Sequence, residues 1–542
     1  MKQSFISLTI FVNAYALSAQ TSIPLLGSTD LAPRQKSESI IASPKYTIAQ
    51  SVYRKLAEAR GDRRYPVPKF VMSRATAEGA TMNYDSTEIT LEEKAYDVCA
   101  SFGAERDAAL AIILGHELTH YYEKHGWRRG FANEYGQLKI GMKLSAVQDI
   151  VNNETQADYL GGFLAYSAGF GLFDKCPDLI QGLYKAYSLP DTLSGYPVLQ
   201  DRQEMSRLTI KKIELLVDAF EVANLMTAIG NFSEARLYYQ YVLKDYQSRE
   251  IYNNIGVTAL LEVLAKSELK MLYPVELDLK SRSGRGGDGF ASRRETLLRL
   301  AIKQFDAAIS LDPDYAPAYL NKACAYALLD DLNRAQFYAE TEAKSIAKAQ
   351  RLTKTESDAN ILLGIIAYTR GDSIKARQLF EAEADSNALA TRNLRILLHQ
   401  PDEAPAVSMF AGSTKSENID STALASFAVS PKFDKARTQK IDEKTILFQY
   451  PIPNKSSKIY ICQNDAGDET AFTYFHLTKA NYKGKTAKDI GIGARREDIL
   501  AAYKIPERTV ETPKGEILVF KKLIFILDAE GKLIQWVNYQ LP

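Results

Sequence analysis

Apolar residues along the chain change their spacing several times, and each change marks an element. After a polar stretch ending near Ser43, Ile48 to Ala59 reads as a helix and Lys69-Phe70-Val71-Met72 as a strand. Met82 to Leu91 reads as a strand or hairpin, with Asp85-Ser86 as its turn. Two helices are predicted next, about Glu92 to Ser101 and Glu105 to Lys124. The second is apolar through Ala108-Ala109-Leu110-Ala111-Ile112-Ile113-Leu114. A further helix is predicted from Leu144 to Ala168, with Val147, Ile150, Val151, Ala157, Leu160 and Leu164 as its apolar positions. Together these make residues 46–208 a compact α+β domain.

From there the pattern turns wholly helical and repeats. Gly230, Ala235 and Tyr239 follow a first helix around Val222-Ala223, and Tyr252, Ile255 and Gly256 open a second repeat. The partner helix of that repeat carries Ala301, Phe305, Ala308 and Pro313 and comes after an insertion, residues 266–292, expected to be a flexible loop. Tyr319, Ala323, Tyr326 and Ala335 mark a third repeat; Leu363, Gly364, Ala376 and Phe380 mark a fourth. The small residues at these places fit the paired helices of tetratricopeptide repeats over residues 209–400. Residues 401–440 are polar, contain Pro401, Pro405 and Pro431, and read as a linker. Alternating stretches at Ile446 to Tyr450, Lys458 to Gln463, Glu516 to Phe520 and Leu523 to Leu527, with a short helix at Arg496 to Tyr503, predict a small α+β domain over 441–542. The expected fold class is α+β, predominantly helical.

Composition narrows the choice of partner. With 542 residues, 25% charged and a net charge of +1, the chain has no long-range pull on nucleic acid. The first residues change the picture further. Met1-Lys2-Gln3 starts basic, Phe5 to Leu17 is a short apolar run, and small Ser18 and Ala19 follow. Residues 1–20 therefore read as a secretory signal peptide, followed by a linker over 21–45. The apolar run is well short of the roughly 20 residues of a membrane span. The mature chain is expected to be extracytoplasmic, periplasmic before secreted, with no transmembrane segment. Cys99, Cys176, Cys324 and Cys462 lack CxxC spacing; Cys99 and Cys176 share a predicted domain and are either a disulfide or two buried thiols.

The chemistry lies in Gly115-His116-Glu117-Leu118-Thr119-His120. There are only five histidines in the chain, and three fall between 116 and 125. His116 and His120 leave one helical face a turn apart, which suits two ligands on one Zn²⁺. Glu117 stands beside the first ligand, where its carboxylate can take a proton from a water that the metal activates. A catalytic zinc needs a third protein ligand and an open position. At about 100° per residue His125 falls on the opposite helical face and reads as a structural or rim residue. His399 and His476 lie in other predicted domains. Glu154 is the better third ligand, because Glu154 and Asp158 share a face of the next long helix and Asp158 can hold a ligand imidazole. Ala157, Gly161 and Gly162 favour close packing of that helix on the histidine helix.

His116-Glu117-x-x-His120 followed by Glu154-x-x-Ala157-Asp158 resembles the gluzincin metallopeptidases that include the CAAX-prenyl and HtpX-like heat-shock proteases. The resemblance covers about Tyr46 to Leu208. It implies one Zn²⁺ per chain and a downstream His-Pro then Arg on the substrate side of the metal. The matching segment here is Tyr196-Pro197-Val198-Leu199-Gln200-Asp201-Arg202, with Tyr196 in place of the His. Tyr196 and Arg202 are then the expected oxyanion stabilisers. The arrangement is most similar to a soluble periplasmic branch in which a protease domain precedes tetratricopeptide repeats and acts in envelope protein quality control. The expected function is zinc-dependent endopeptidase activity on protein or peptide substrates, with Thr81 to Leu91 pairing with substrate as an added strand. The repeats would recruit substrates or partner proteins. The alternative is a chaperone-like or scaffold binding protein whose protease domain is latent.

Overall fold

In the computed structural model, the described residues are 22–24, 39–40, 42–84, 86–125, 150–191, 198–267, 271–275, 290–400, 417–420, 422–424, 433, 436–450, 456–466, 469–512 and 515–542. The architecture is α+β and predominantly helical, with an antiparallel sheet near the C-terminus. Two compact units divide the chain: one is residues 1–60 with 66–214, the other 61–65 with 215–542. The repeats and the C-terminal strands thus share one unit.

The first unit is built on a five-stranded sheet of order β1-β4-β5-β3-β2. Its strands are β1 (Ser22–Pro24), β2 (Ser39–Ile40), β3 (Lys69–Ser73), β4 (Ala80–Asn83) and β5 (Glu88–Glu92). Only β3 and β5 run parallel. Residues 21–45, expected as a linker, therefore supply both edge strands of this sheet. The hairpin β4–β5 forms as its alternation predicts, pairing Asn83 with Glu88.

Around the sheet lie α1 (Pro44–Arg60), α2 (Glu93–Ala100), α3 (Arg106–Tyr122), α4 (Ile150–Ala165), α5 (Cys176–Ala186) and the first part of α6 (Leu199–Ala228). The rings of Tyr46 and Tyr53 stack on Phe70 and seat α1 against β3. Helix α3 is buried nearly all round, as an apolar helix without a polar stripe must be. It stops at Tyr122, two residues sooner than its pattern predicts. Lys124 then adopts a left-handed backbone, φ +58°, which turns the chain out of the helix. Residues 144–149 of the next predicted helix lie outside the described residues. Helix α5 escaped prediction, although Pro177 at its first turn and Leu179, Leu183 and Tyr184 on one face carry its signature. The expected domain boundary at 208 falls inside α6.

The second unit begins with α7 (Phe232–Asp245), α8 (Arg249–Ala265), α9 (Phe290–Leu311) and α10 (Ala316–Leu328). It continues with α11 (Leu332–Phe337), α12 (Ser345–Gln350), α13 (Thr353–Thr369), α14 (Ser373–Glu383) and α15 (Ala388–Leu397). One turn recurs at 230, 330 and 371. Gly230, Asp330 and Gly371 each take a left-handed backbone, and each next residue donates its N–H to a carbonyl five residues back. Ala235, Ala335 and Ala376 then sit fully buried at the same place in the following helix. Between helices the spacing is equally repetitive. A Cβ on Gly256 would lie 2.5 Å from the ring of Phe305, and one on Gly364 2.5 Å from the ring of Phe380. Part of the insertion expected as a flexible loop is ordered: Leu272 bonds through both its N–H and C=O to the Asn393 side chain on α15, and Met271 is buried. Its side-chain amide satisfies a backbone donor and acceptor that a buried loop would otherwise leave unpaired.

An eight-stranded antiparallel sheet completes this unit, in the order β12-β13-β14-β15-β11-β10-β9-β8. Its strands are β8 (Arg437–Lys440), β9 (Thr445–Tyr450), β10 (Ser457–Ala466), β11 (Glu469–Thr478), β12 (Arg508–Thr512), β13 (Gly515–Phe520), β14 (Leu523–Asp528) and β15 (Leu533–Gln540). Helix α16 (Arg496–Tyr503) packs on it through Ile499 and Tyr503, against Phe520, Phe525 and Trp536. The expected linker 401–440 gives this sheet its edge strand β8 and a small hairpin, β6 (Asn418–Ile419) with β7 (Thr422–Ala423), whose Ile419 is fully buried in the same core. Alternation over so few residues is too short to read as strand.

Candidate metal centre

Helix α3 presents His116 and His120 from consecutive turns, and α4 crosses it to present Glu154. The two Nε2 atoms are 2.9 Å apart. Glu154 Oε2 is 3.4 Å from Nε2 of His116, and its Oε1 is 3.5 Å from Nε2 of His120. Two ligands bound at about 2.0–2.1 Å to one tetrahedral ion are about 3.3–3.4 Å apart. The triangle of nitrogens and carboxylate therefore has the size of one face of such a site. All three side chains are buried.

The supporting atoms are equally specific. Asp158 Oδ1 lies 2.8 Å from Nδ1 of His116 and so fixes that ring with Nε2 towards the cluster. Tyr84 donates its hydroxyl to the backbone carbonyl of His120 at 2.7 Å. His125 is fully buried and its Nδ1 is 2.8 Å from Nδ1 of His120. The expectation that His125 lies on the far face is thus corrected. It assumed that the helix runs on, whereas Lys124 ends it and brings the ring back to His120.

The charges favour a cation here. Burial works against a positive charge on His116, but the hydrogen bonds and charges of Asp158 and Glu154 outweigh it and raise the imidazole to about 10. Burial drives His120 well below its usual value. Burial also opposes a negative Glu154, yet the two histidines keep its carboxyl below the ordinary range. Glu117 behaves differently. It is fully buried, neither of its carboxylate oxygens makes a hydrogen bond of normal geometry among the described residues, and burial pushes its carboxyl up to about 8, although the charge of His116 and the Met82 backbone N–H pull it down. A buried carboxylate so poorly satisfied is costly, and here it stands next to His116.

Arg202 is buried and reaches the hydroxyl of Tyr184 at 3.4 Å. It lines an apolar cavity together with Ile112, His116, Asp158, Leu183 and Ile210. Tyr196 lies outside the described residues. The hairpin expected to receive a substrate strand has less free edge than predicted. β5 is interior to the sheet, and the outer edge of β4 pairs antiparallel with β1, matching Ile23 to Met82. None of Cys99, Cys176, Cys324 and Cys462 is in a disulfide, and no helix among the described residues is long and apolar enough to cross a membrane. Among the described residues, His116, His120 and Glu154 are the group that could hold a metal ion; no family model and no curated protein matches the chain.

Proposed function

We propose that the chain is a zinc-dependent endopeptidase of gluzincin type, with His116, His120 and Glu154 holding one Zn²⁺. The observation that carries this reading is the buried triad of ligand size with the buried, poorly satisfied Glu117 carboxylate beside it. Bound zinc would supply Lewis acidity, polarising a scissile carbonyl and making a water acidic enough to attack at neutral pH. Glu117 would serve as the proton carrier, its carboxylate placed to accept a proton from an attacking water and to hand it to the leaving amine. Asp158 holds the His116 ring. Arg202 and Tyr196 are assigned to the oxyanion, Arg202 from its place in the cavity beside His116 and Tyr196 from its place in the sequence.

The helical hairpins are read as tetratricopeptide repeats that recruit protein substrates or partners. Their recurring turn at 230, 330 and 371 supports this, as does a groove of mixed lining, with Glu340, Lys344 and Arg370 beside Leu363 and Ile366. Residues 1–20, with their basic start and short apolar run, are read as a secretory signal, which would take the chain to an extracytoplasmic space and a role in quality control of envelope proteins. Glu117→Gln tests the reading. The variant should bind one zinc per chain and lose cleavage of an unfolded protein by on the order of 10²–10⁴-fold. The wild type should lose the same activity to a chelator. A chain that binds no zinc, or a Gln variant that still cleaves, overturns it, and the former outcome leaves a binding protein built on the repeats.

A further inference from the structure

His125 has a place in the hydrogen bonding of the triad that its position in the sequence conceals. Its Nδ1 faces Nδ1 of His120 at 2.8 Å, and its Nε2 faces Oε1 of Gln156 at 3.2 Å. The amide nitrogen of Gln156 is directed to Oε2 of Glu123 at 3.5 Å, and Oε1 of Glu123 lies 3.5 Å from Arg60. One nitrogen of each neutral imidazole donates and the other accepts, so the order of donors along this line has a single solution once either end is fixed. His120 turns its Nε2 towards His116 and Glu154. A ligand at Nε2 leaves the hydrogen on Nδ1, which must donate to Nδ1 of His125. His125 then carries its own hydrogen on Nε2 and donates to Gln156. The amide of Gln156, in its observed orientation, accepts at Oε1 and donates to Glu123.

We propose that His125 is a positioning residue: it accepts from Nδ1 of His120 and, backed by Gln156 and Glu123, locks His120 as an Nε2 ligand. The inference rests on the zinc reading above. It also explains an asymmetry of the site. His116 is held by a carboxylate, Asp158, and His120 by another imidazole, that of His125. Glu154 and Asp158 already balance the two charges of a divalent ion. A neutral acceptor behind His120 orients the ring without adding a further negative charge that would weaken the ion as a Lewis acid.

The test is zinc affinity, measured on the full chain by competition with a chelator. His125→Leu fills the space without an acceptor, while His125→Asn places a carbonyl oxygen where Nδ1 was. The Leu variant should bind zinc about 10–100-fold more weakly, the usual cost of losing such a partner, and the Asn variant should recover most of that loss. Equal affinity of the Leu variant and the wild type, or equal weakness of both variants, overturns the proposal. Nitrogen-15 NMR of the zinc-loaded wild type gives an answer independent of how the variants fold, with only five histidines to assign. Hydrogen on Nε2 of His125 supports the assignment and hydrogen on its Nδ1 refutes it. A wild type that takes up no zinc overturns the metal reading and this one together. Normal zinc uptake with a hydrogen on Nδ1 of His125 overturns this one alone.

Discussion

Gly115 and Gly161 touch backbone to backbone: a Cβ on Gly115 would lie 2.7 Å from the carbonyl oxygen of Gly161, and one on Gly161 2.7 Å from the carbonyl carbon of Gly115. The contact sits one residue before His116. On the other helix, Glu154, Asp158 and Gly161 fall at i, i+4 and i+7, so all three share the face turned to α3. The absence of two side chains is what lets α4 carry its carboxylates within reach of the histidines. Gly161→Ala should therefore separate the helices. Because the clash is with backbone that cannot rotate away, overpacking should cost about 1–3 kcal/mol. Zinc affinity, measured well below the unfolding temperature, should fall together with the thermal midpoint. A Gly161→Ala chain that melts and binds zinc like the wild type would show that this contact does not set the triad.

Asp158 acts on the metal only through His116, so its loss should not abolish binding. Asp158→Asn keeps the shape but replaces the charged acceptor with an amide. Zinc affinity or peptide cleavage should drop about 10–100-fold, with stoichiometry held at one ion. Glu154→Gln, which removes a proposed ligand, should do more and leave the site without stoichiometric zinc. If the two variants behaved alike, Glu154 would not be a ligand.

If an extended substrate adds to the sheet at the β4–β5 hairpin, it does so at the outer edge of β4, where β1 already pairs. Under the peptidase reading a substrate strand must displace residues 22–24. A chain starting after Pro24 should then show a several-fold lower KM for short peptides with kcat unchanged. An unaltered KM would place the substrate path elsewhere.

The triad was legible in the sequence because helical periodicity alone puts His116 with His120, and Glu154 with Asp158, on single faces. Gly161 was legible for the same reason. The role of His125 was not. Extrapolating α3 sends it to the far face, and only the left-handed turn at Lys124, a residue with no special preference for that backbone, reverses the result. The edge strands β1, β2 and β8 were also hidden. Each is four residues or fewer, too short for a pattern of its own, and β1 and β2 in addition pair with strands far away in the chain. The recurring turn of the repeats, by contrast, is local and left its mark at Gly230 and Gly371.

His476 offers a test of the C-terminal sheet that is independent of the metal. The side chain is fully buried on β11, with Nε2 3.2 Å from the hydroxyl of Ser457 and no hydrogen-bond partner for Nδ1 among the described residues. Burial lowers its pKa from 6.5 to about 4, a shift that the charge of Asp420 only partly opposes. Between those values the unfolded chain binds a proton that the folded chain refuses. The contribution of His476 is therefore fully present above pH 6.5 and is lost as pH falls towards about 4. At 1.36 kcal/mol per unit the span sets an upper limit of about 3 kcal/mol. Carboxylates titrate over part of the same range, so the comparison must be between chains. Denaturant unfolding of the wild type should weaken from pH 7 to pH 5 more steeply than that of His476→Gln, which cannot take up the proton. Parallel slopes in the two chains would mean that His476 is reached by solvent, and hence that the β10–β11 core is looser than its packing indicates.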